Sequence, residues 1–216
     1  MDDNVLAAMK RWPDVPAVSG WLSLSVQGHW RLHPAGDACT PGPDGALPAG
    51  EPISNPQLLA FLSRNYNRDD TGRWYVQNGP QRVYVRLDAA PFVVATSGTH
   101  TEPALQSHTG SWVPSVQSWW IDSEGRLFVQ TPLGPGLIAG RDTAEALGRL
   151  QPDVPGHRAI EAADLEALER DGAALPLRWA LKPDAHGRAI QQSGPLRWCD
   201  ASQIPVTLGF VALPRT

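Results

Sequence analysis

The sequence predicts an α+β fold made of two small units of antiparallel β-hairpins with a few short helices. Three observations carry that prediction. The phrase Asp-x-x-Gly-Arg, with Gln four residues beyond the Arg, recurs at 69–77 (DDTGRWYVQ), 122–130 (DSEGRLFVQ) and 184–192 (DAHGRAIQQ). Its Asp can bond the backbone two residues on, and its Gly supplies positive φ at the end of a type I turn. Apolar and polar residues alternate on either side of such turns, as in Val83, Val85 and Leu87 against Arg82, Tyr84 and Arg86, which is the period of a strand. The 21 prolines fall mostly between these runs, where they stiffen loops and end strands.

In chain order, 3–12 reads as a short helix, with Val5, Leu6, Met9 and Trp12 close to one face and Pro13 and Pro16 stopping it. Residues 21–32 alternate as a strand or hairpin broken near Gly28. Residues 33–50 are a Pro/Gly loop. Ser54 is placed to cap a helix with Pro56 in its first turn and Leu58, Leu59, Phe61 and Leu62 on its apolar face. The first copy of the phrase then leads to strands around 74–76 and 83–87, joined at Asn78-Gly79-Pro80, and 89–95 ends the unit. Polar 97–110 reads as a linker. The second copy follows a strand within 112–121 and places Leu127, Phe128 and Val129 where the first has Trp74, Tyr75 and Val76. Leu137 and Ile138 continue it. Helices are expected from Thr143, broken by Pro152 and Pro155, and over 162–170, ended by Gly172. The third copy joins 177–181 to 188–191, and 196–199 and 206–213 read as closing strands. The expected units are 1–97, with 33–50 as a loop insertion, and 111–216. The matched segments are nine residues long, so both an internal duplication and independent use of one good turn stay open.

The chain has 216 residues, 42% hydrophobic and 19% charged, with a net charge of −4. Nothing basic enough for a nucleic-acid partner is present. The two cysteines, Cys39 and Cys199, read as free thiols of a reducing compartment. The first residues are acidic and then amphipathic, unlike a signal or transit peptide. No apolar run approaches the ~20 residues of a membrane span. A cytoplasmic location without a membrane partner is the expectation.

Four of the nine tryptophans follow an arginine: Trp12, Trp74, Trp179 and Trp198. Either Trp points inward and Arg outward, or the pairs form a surface that stacks a ligand. The chain has no Gly-x-Ser-x-Gly elbow, phosphate loop, dinucleotide fingerprint or Cys-x-x-Cys. The six histidines, among them His29, His33, His100 and His108, show no metal-ligand spacing on one element. Asp69, Asp70, Asp122 and Glu124 lie in turns, where carboxylates cap backbone. No catalytic residue, metal or cofactor is therefore assigned. The binding candidate is the polar face of the first hairpin, Arg73, Tyr75, Arg82, Tyr84 and Arg86, whose guanidinium groups suit phosphate or carboxylate.

The order Gly28-His29-Trp30, Gly50-Glu51-Pro52-Ile53, Thr71-Gly72-Arg73-Trp74-Tyr75-Val76, Arg82-Val83-Tyr84-Val85 and Asp88-Ala89-Ala90-Pro91-Phe92-Val93 resembles a bacterial family, domain of unknown function 1285, over about residues 20–95. The long 33–50 loop and an extra residue before Pro91 depart from its pattern. The resemblance implies two similar α+β units, the second loosely like a pleckstrin-homology barrel. It also implies a ligand site at their interface and a signalling role. The leading expectation is a non-catalytic protein binding a small anionic, nucleotide-like ligand. The alternatives are a protein–protein adaptor using exposed tryptophans such as Trp119 and Trp120, or an enzyme of unknown class.

Overall fold

The computed structural model describes residues 1–99, 102–153, 158–179 and 194–215. The chain forms two compact units, Met1–Pro91 with Gly209–Thr216, and Phe92–Leu208. Each is mixed α+β around one six-stranded sheet.

The first unit runs α1 (Asp3–Arg11), β1 (Val18–Leu24), β2 (Trp30–Leu32), β3 (Glu51–Pro52), α2 (Pro56–Arg64), β4 (Tyr66–Arg68), β5 (Trp74–Asn78) and β6 (Gln81–Leu87). Its strand order is β3-β2-β1-β6-β5-β4. All neighbours are antiparallel except β1 and β6, which run parallel with Ser23 beside Arg86. Gly28, at φ 82°, turns the chain between β1 and β2. Of the expected α1 face, Val5 is buried, while Leu6 and Trp12 are exposed. The cap of α2 is Asn55, not Ser54: its side chain accepts from the backbone N–H of Gln57 and Leu58 at 2.9 and 3.1 Å. Pro56, lacking an N–H, takes the first helical position and so sets the start one residue later.

The second unit contains β7 (Phe92–Thr99), β8 (Glu102–Ser107), β9 (Ser118–Asp122), β10 (Leu127–Thr131), β11 (Gly134–Ile138), α3 (Thr143–Arg149), β12 (Leu150–Pro152), α4 (Ala162–Asp171), β13 (Leu177–Trp179), β14 (Leu196–Cys199) and α5 (Ile204–Leu208). Its main sheet is ordered β14-β9-β10-β11-β7-β8, and β12 pairs with β13 apart from it. Trp119, Phe128, Leu127, Ile138 and Leu196 are fully buried in its core.

The two sheets follow one path. A hairpin (β1–β2, β7–β8) is joined by a three-strand meander (β4-β5-β6, β9-β10-β11) whose last strand lies parallel to the first strand of the hairpin. The phrase turns the first corner of each meander in the same way. Gly72 and Gly125 have φ of 82° and 74°. Asp69 and Asp122 each accept from the backbone N–H four residues on, at 3.0 and 2.8 Å, and bind the following Arg side chain. A shared topology around a shared turn goes beyond the nine matched residues. The third copy lies outside the described residues.

Two further expectations change. The expected linker at 97–110 lies largely in the β7–β8 hairpin, anchored by buried Leu105. Residues 206–213 do not form a strand. Asp200 caps a short helical segment through Ser202, α5 follows, and Gly209 at φ 73° ends it. Ile204 and Leu208 are buried four apart while Val206 between them is 79% exposed, a helical rather than an alternating pattern.

Candidate functional site

β5 and β6 carry four of the candidate residues, and Arg73 immediately precedes β5. Neighbouring side chains on a strand take opposite faces, so Trp74, Val76, Val83 and Val85 share one side and Tyr75, Arg82, Tyr84 and Arg86 the other. Tyr75 stands directly opposite Tyr84, with their rings edge to face at 5.9 Å. Both sides are covered: Tyr75, Tyr84 and Arg86 are as buried as Trp74 and Val76. Part of the cover comes from distant segments of the same unit. The N–H of Leu87 donates to Ala212, the N–H of Val211 donates to Gly72, and the Arg73 guanidinium donates to the carbonyl of Arg215 at 3.2 Å.

Four of the five candidates form a continuous ladder. Arg73 Nε and Tyr84 Oη both donate to Asp69 Oδ2 at 2.9 Å. The Arg73 guanidinium lies 4.3 Å over the Tyr84 ring, and that of Arg82 lies 4.8 Å over Tyr75. Burial on its own would raise the Asp69 carboxyl; bonds from Thr71, the Arg73 backbone, Tyr84 and Arg73 outweigh it and hold the group well below the usual carboxylate range. Burial, then the Asp69 carboxylate, pushes the Tyr84 phenol up. Arg73 is thus neutralised by Asp69. Among the described residues no carboxylate pairs with Arg82, which leaves the ladder's surplus positive charge on that side chain. Gln77, buried and paired in register with Arg82, donates to the Gly79 carbonyl at 3.0 Å, and its Oε1 has no hydrogen-bond partner among the described residues.

Arg86 is directed elsewhere. Its Nη1 donates to the carbonyls of Ala38 and Pro48 at 2.6 and 2.9 Å and its Nε to Asp88 at 2.8 Å. It ties the 33–50 loop to the sheet. Beside it lies a group that sequence reasoning missed. Ser23 Oγ is 2.8 Å from His33 Nε2, and His33 Nδ1 is 3.5 Å from Asp37 Oδ1. The order is that of a serine–histidine–aspartate relay, but Ser23 and His33 are sealed from solvent. Gly50 lies against the ring so closely that a Cβ there would fall 2.6 Å from Nε2. This group fixes the loop and leaves no approach for a substrate carbonyl. Burial and then Arg86 push the His33 imidazole down, while Asp37 opposes.

Other expectations resolve individually. Trp74 points in with Arg73 half-exposed outside, whereas Trp12 is exposed beneath Arg11. Trp119 is fully buried rather than exposed; the exposed indoles among the described side chains are Trp12, Trp21 and Trp112. Both cysteines are free thiols. Among the described residues no three His, Cys, Asp or Glu converge to hold a metal, and no helix is long and apolar enough to cross a membrane.

Comparison with known proteins places the chain as follows. The family DUF2944, described as "Protein of unknown function (DUF2946)", matches residues 1–215. A solved DUF1285 family protein from Silicibacter pomeroyi DSS-3 is similar at 18% identity, covering 77% of this chain and all of that one, with a TM-score of 0.45. Another, from Shewanella baltica OS155, is similar at 10% identity over 58% of this chain and 89% of that one, with a TM-score of 0.40. No curated protein matches.

Proposed function

The chain belongs to the DUF2944 family of proteins of unknown function, and we propose that it is a non-catalytic binding protein for a small anionic, nucleotide-like ligand, acting in a cytoplasmic signalling context. The supporting observation is Arg82: a guanidinium stacked on Tyr75, without a carboxylate partner among the described residues, next to a neutralised Asp69–Arg73 pair. Arg82 offers a fork of donors to an anion, and buried Tyr75, against which Tyr84 packs edge to face, holds its guanidinium in place. Arg86, on the same face of the sheet, ties down the 33–50 loop and is not offered to the ligand.

Thermal-shift and calorimetric titration with pyrophosphate, AMP and GTP tests the reading. A ligand at a hundredfold excess over its Kd stabilises by about 2.7 kcal/mol. The expected result is stabilisation by at least one of the three, lost in Arg82→Gln and retained in Arg197→Gln. A flat response to all three at millimolar concentration, or binding unchanged in Arg82→Gln, refutes it.

A further inference from the structure

The opposite face of the first sheet carries a different feature. Between α2 and strands β1, β2, β5 and β6 lies a cleft of about 450 Å³, within the range of ~300–1,000 Å³ that holds small molecules. Its floor is buried Leu22, Leu62 and Val83. Its lip is Trp21, Leu32 and Leu58, which remain 44%, 39% and 42% exposed. Among the described residues no charged side chain lines it, and its polar lining is Asn78 and Gln81 at the β5–β6 turn. Gln81 Nε2 donates to the Pro16 carbonyl, and no hydrogen bond to its amide oxygen is formed among the described residues.

We propose that this cleft binds a neutral, amphiphilic small molecule: a single medium-length hydrocarbon chain ending in an amide or hydroxyl. The uncharged lining fits the chain, because apolar walls gain from displacing water and desolvate any charge without repaying it. The amides at one end fit a neutral head that both donates and accepts. A carboxylate there meets no cation in the lining and is disfavoured. The walls are preformed by a paired sheet and a helix capped by Asn55, so little ordering accompanies binding. The site is independent of the Arg82 ladder, which lies across the sheet.

Calorimetric titration of decanol, decanamide and decanoate into the full chain tests the assignment. Decanol and decanamide are expected to bind, with decanoate at least tenfold weaker at neutral pH. Leu58→Arg, at the exposed lip, is expected to weaken both neutral ligands at least tenfold while the far-ultraviolet spectrum and melting temperature stay unchanged. Leu58→Met is expected to retain binding. Absence of binding by both neutral ligands, decanoate binding as tightly as decanamide, or indifference to Leu58→Arg overturns it.

Discussion

Replacing Gly72 by alanine separates two effects that its counterpart Gly125 carries singly. Both residues end the same turn with positive φ, 82° and 74°. An L-side chain in that region costs ~1–2 kcal/mol, partly offset by ~0.4–1 kcal/mol from restricting the unfolded chain. A Cβ on Gly125 meets nothing within 4 Å, whereas one on Gly72 falls 2.8 Å from the Gly209 carbonyl oxygen and 3.4 Å from Phe210 Cα. These are backbone atoms, which cannot rotate aside. The 209–215 segment must move, straining the bond from Val211 N–H to the Gly72 carbonyl at 3.0 Å. Overpacking of this kind adds ~1–3 kcal/mol. Gly125→Ala is therefore expected to cost ~1 kcal/mol and Gly72→Ala roughly 2–4 kcal/mol by the same sum. Urea unfolding, with hydrogen exchange to assign each transition to its unit, reads both values. In Gly72→Ala the amides of Leu87 and Val211, which bond to or from that segment, should lose protection, and in Gly125→Ala they should not. Equal losses with unchanged protection at both amides would refute the steric account.

Other outcomes follow from single residues. Arg86→Leu leaves Asp88 and the Ala38 and Pro48 carbonyls without their donor; removing one partner of a buried charge costs ~3–5 kcal/mol, and limited proteolysis should then cut within 33–50. His108 is held neutral by burial, which pushes it down to about 4 from 6.5. Its folded value lies below its unfolded one, so its stabilisation is complete above pH ~6.5 and is lost as pH falls toward 4, by ~3 kcal/mol at most. Stability of the second unit measured against pH should show that slope, and His108→Gln should flatten it; a slope unchanged by the substitution would assign it to other groups.

What the sequence makes legible is what neighbours along the chain decide. The Asp-x-x-Gly-Arg turns formed as read at Asp69 and Asp122 because cap, turn glycine and returning arginine all lie within five residues. The 162–170 helix ended at Gly172 for the same reason. What could not be read depends on partners far away. Arg86 looks like a surface arginine on an alternating strand, and only the loop carbonyls at 38 and 48 and the Asp88 carboxylate make it an internal tie. The Ser23–His33 contact joins residues on either side of one turn, and the pairing of Leu22 with Leu32 is the signal that brings them near. The parallel pairing of β1 with β6 spans the whole intervening helix and meander, so no local pattern announces it.

Because residues 209–215 lie on the first unit while the entire second unit is threaded between them and Pro91, the order of synthesis is inverted for the last step. A ribosome exposes the N-terminal sheet first and its finishing segment last, after the whole second sheet has emerged. The earlier-made half must wait, incompletely closed, for a segment made after its neighbour. A stop codon anywhere within 92–208 would therefore injure the half of the protein translated before it, as well as the half it interrupts.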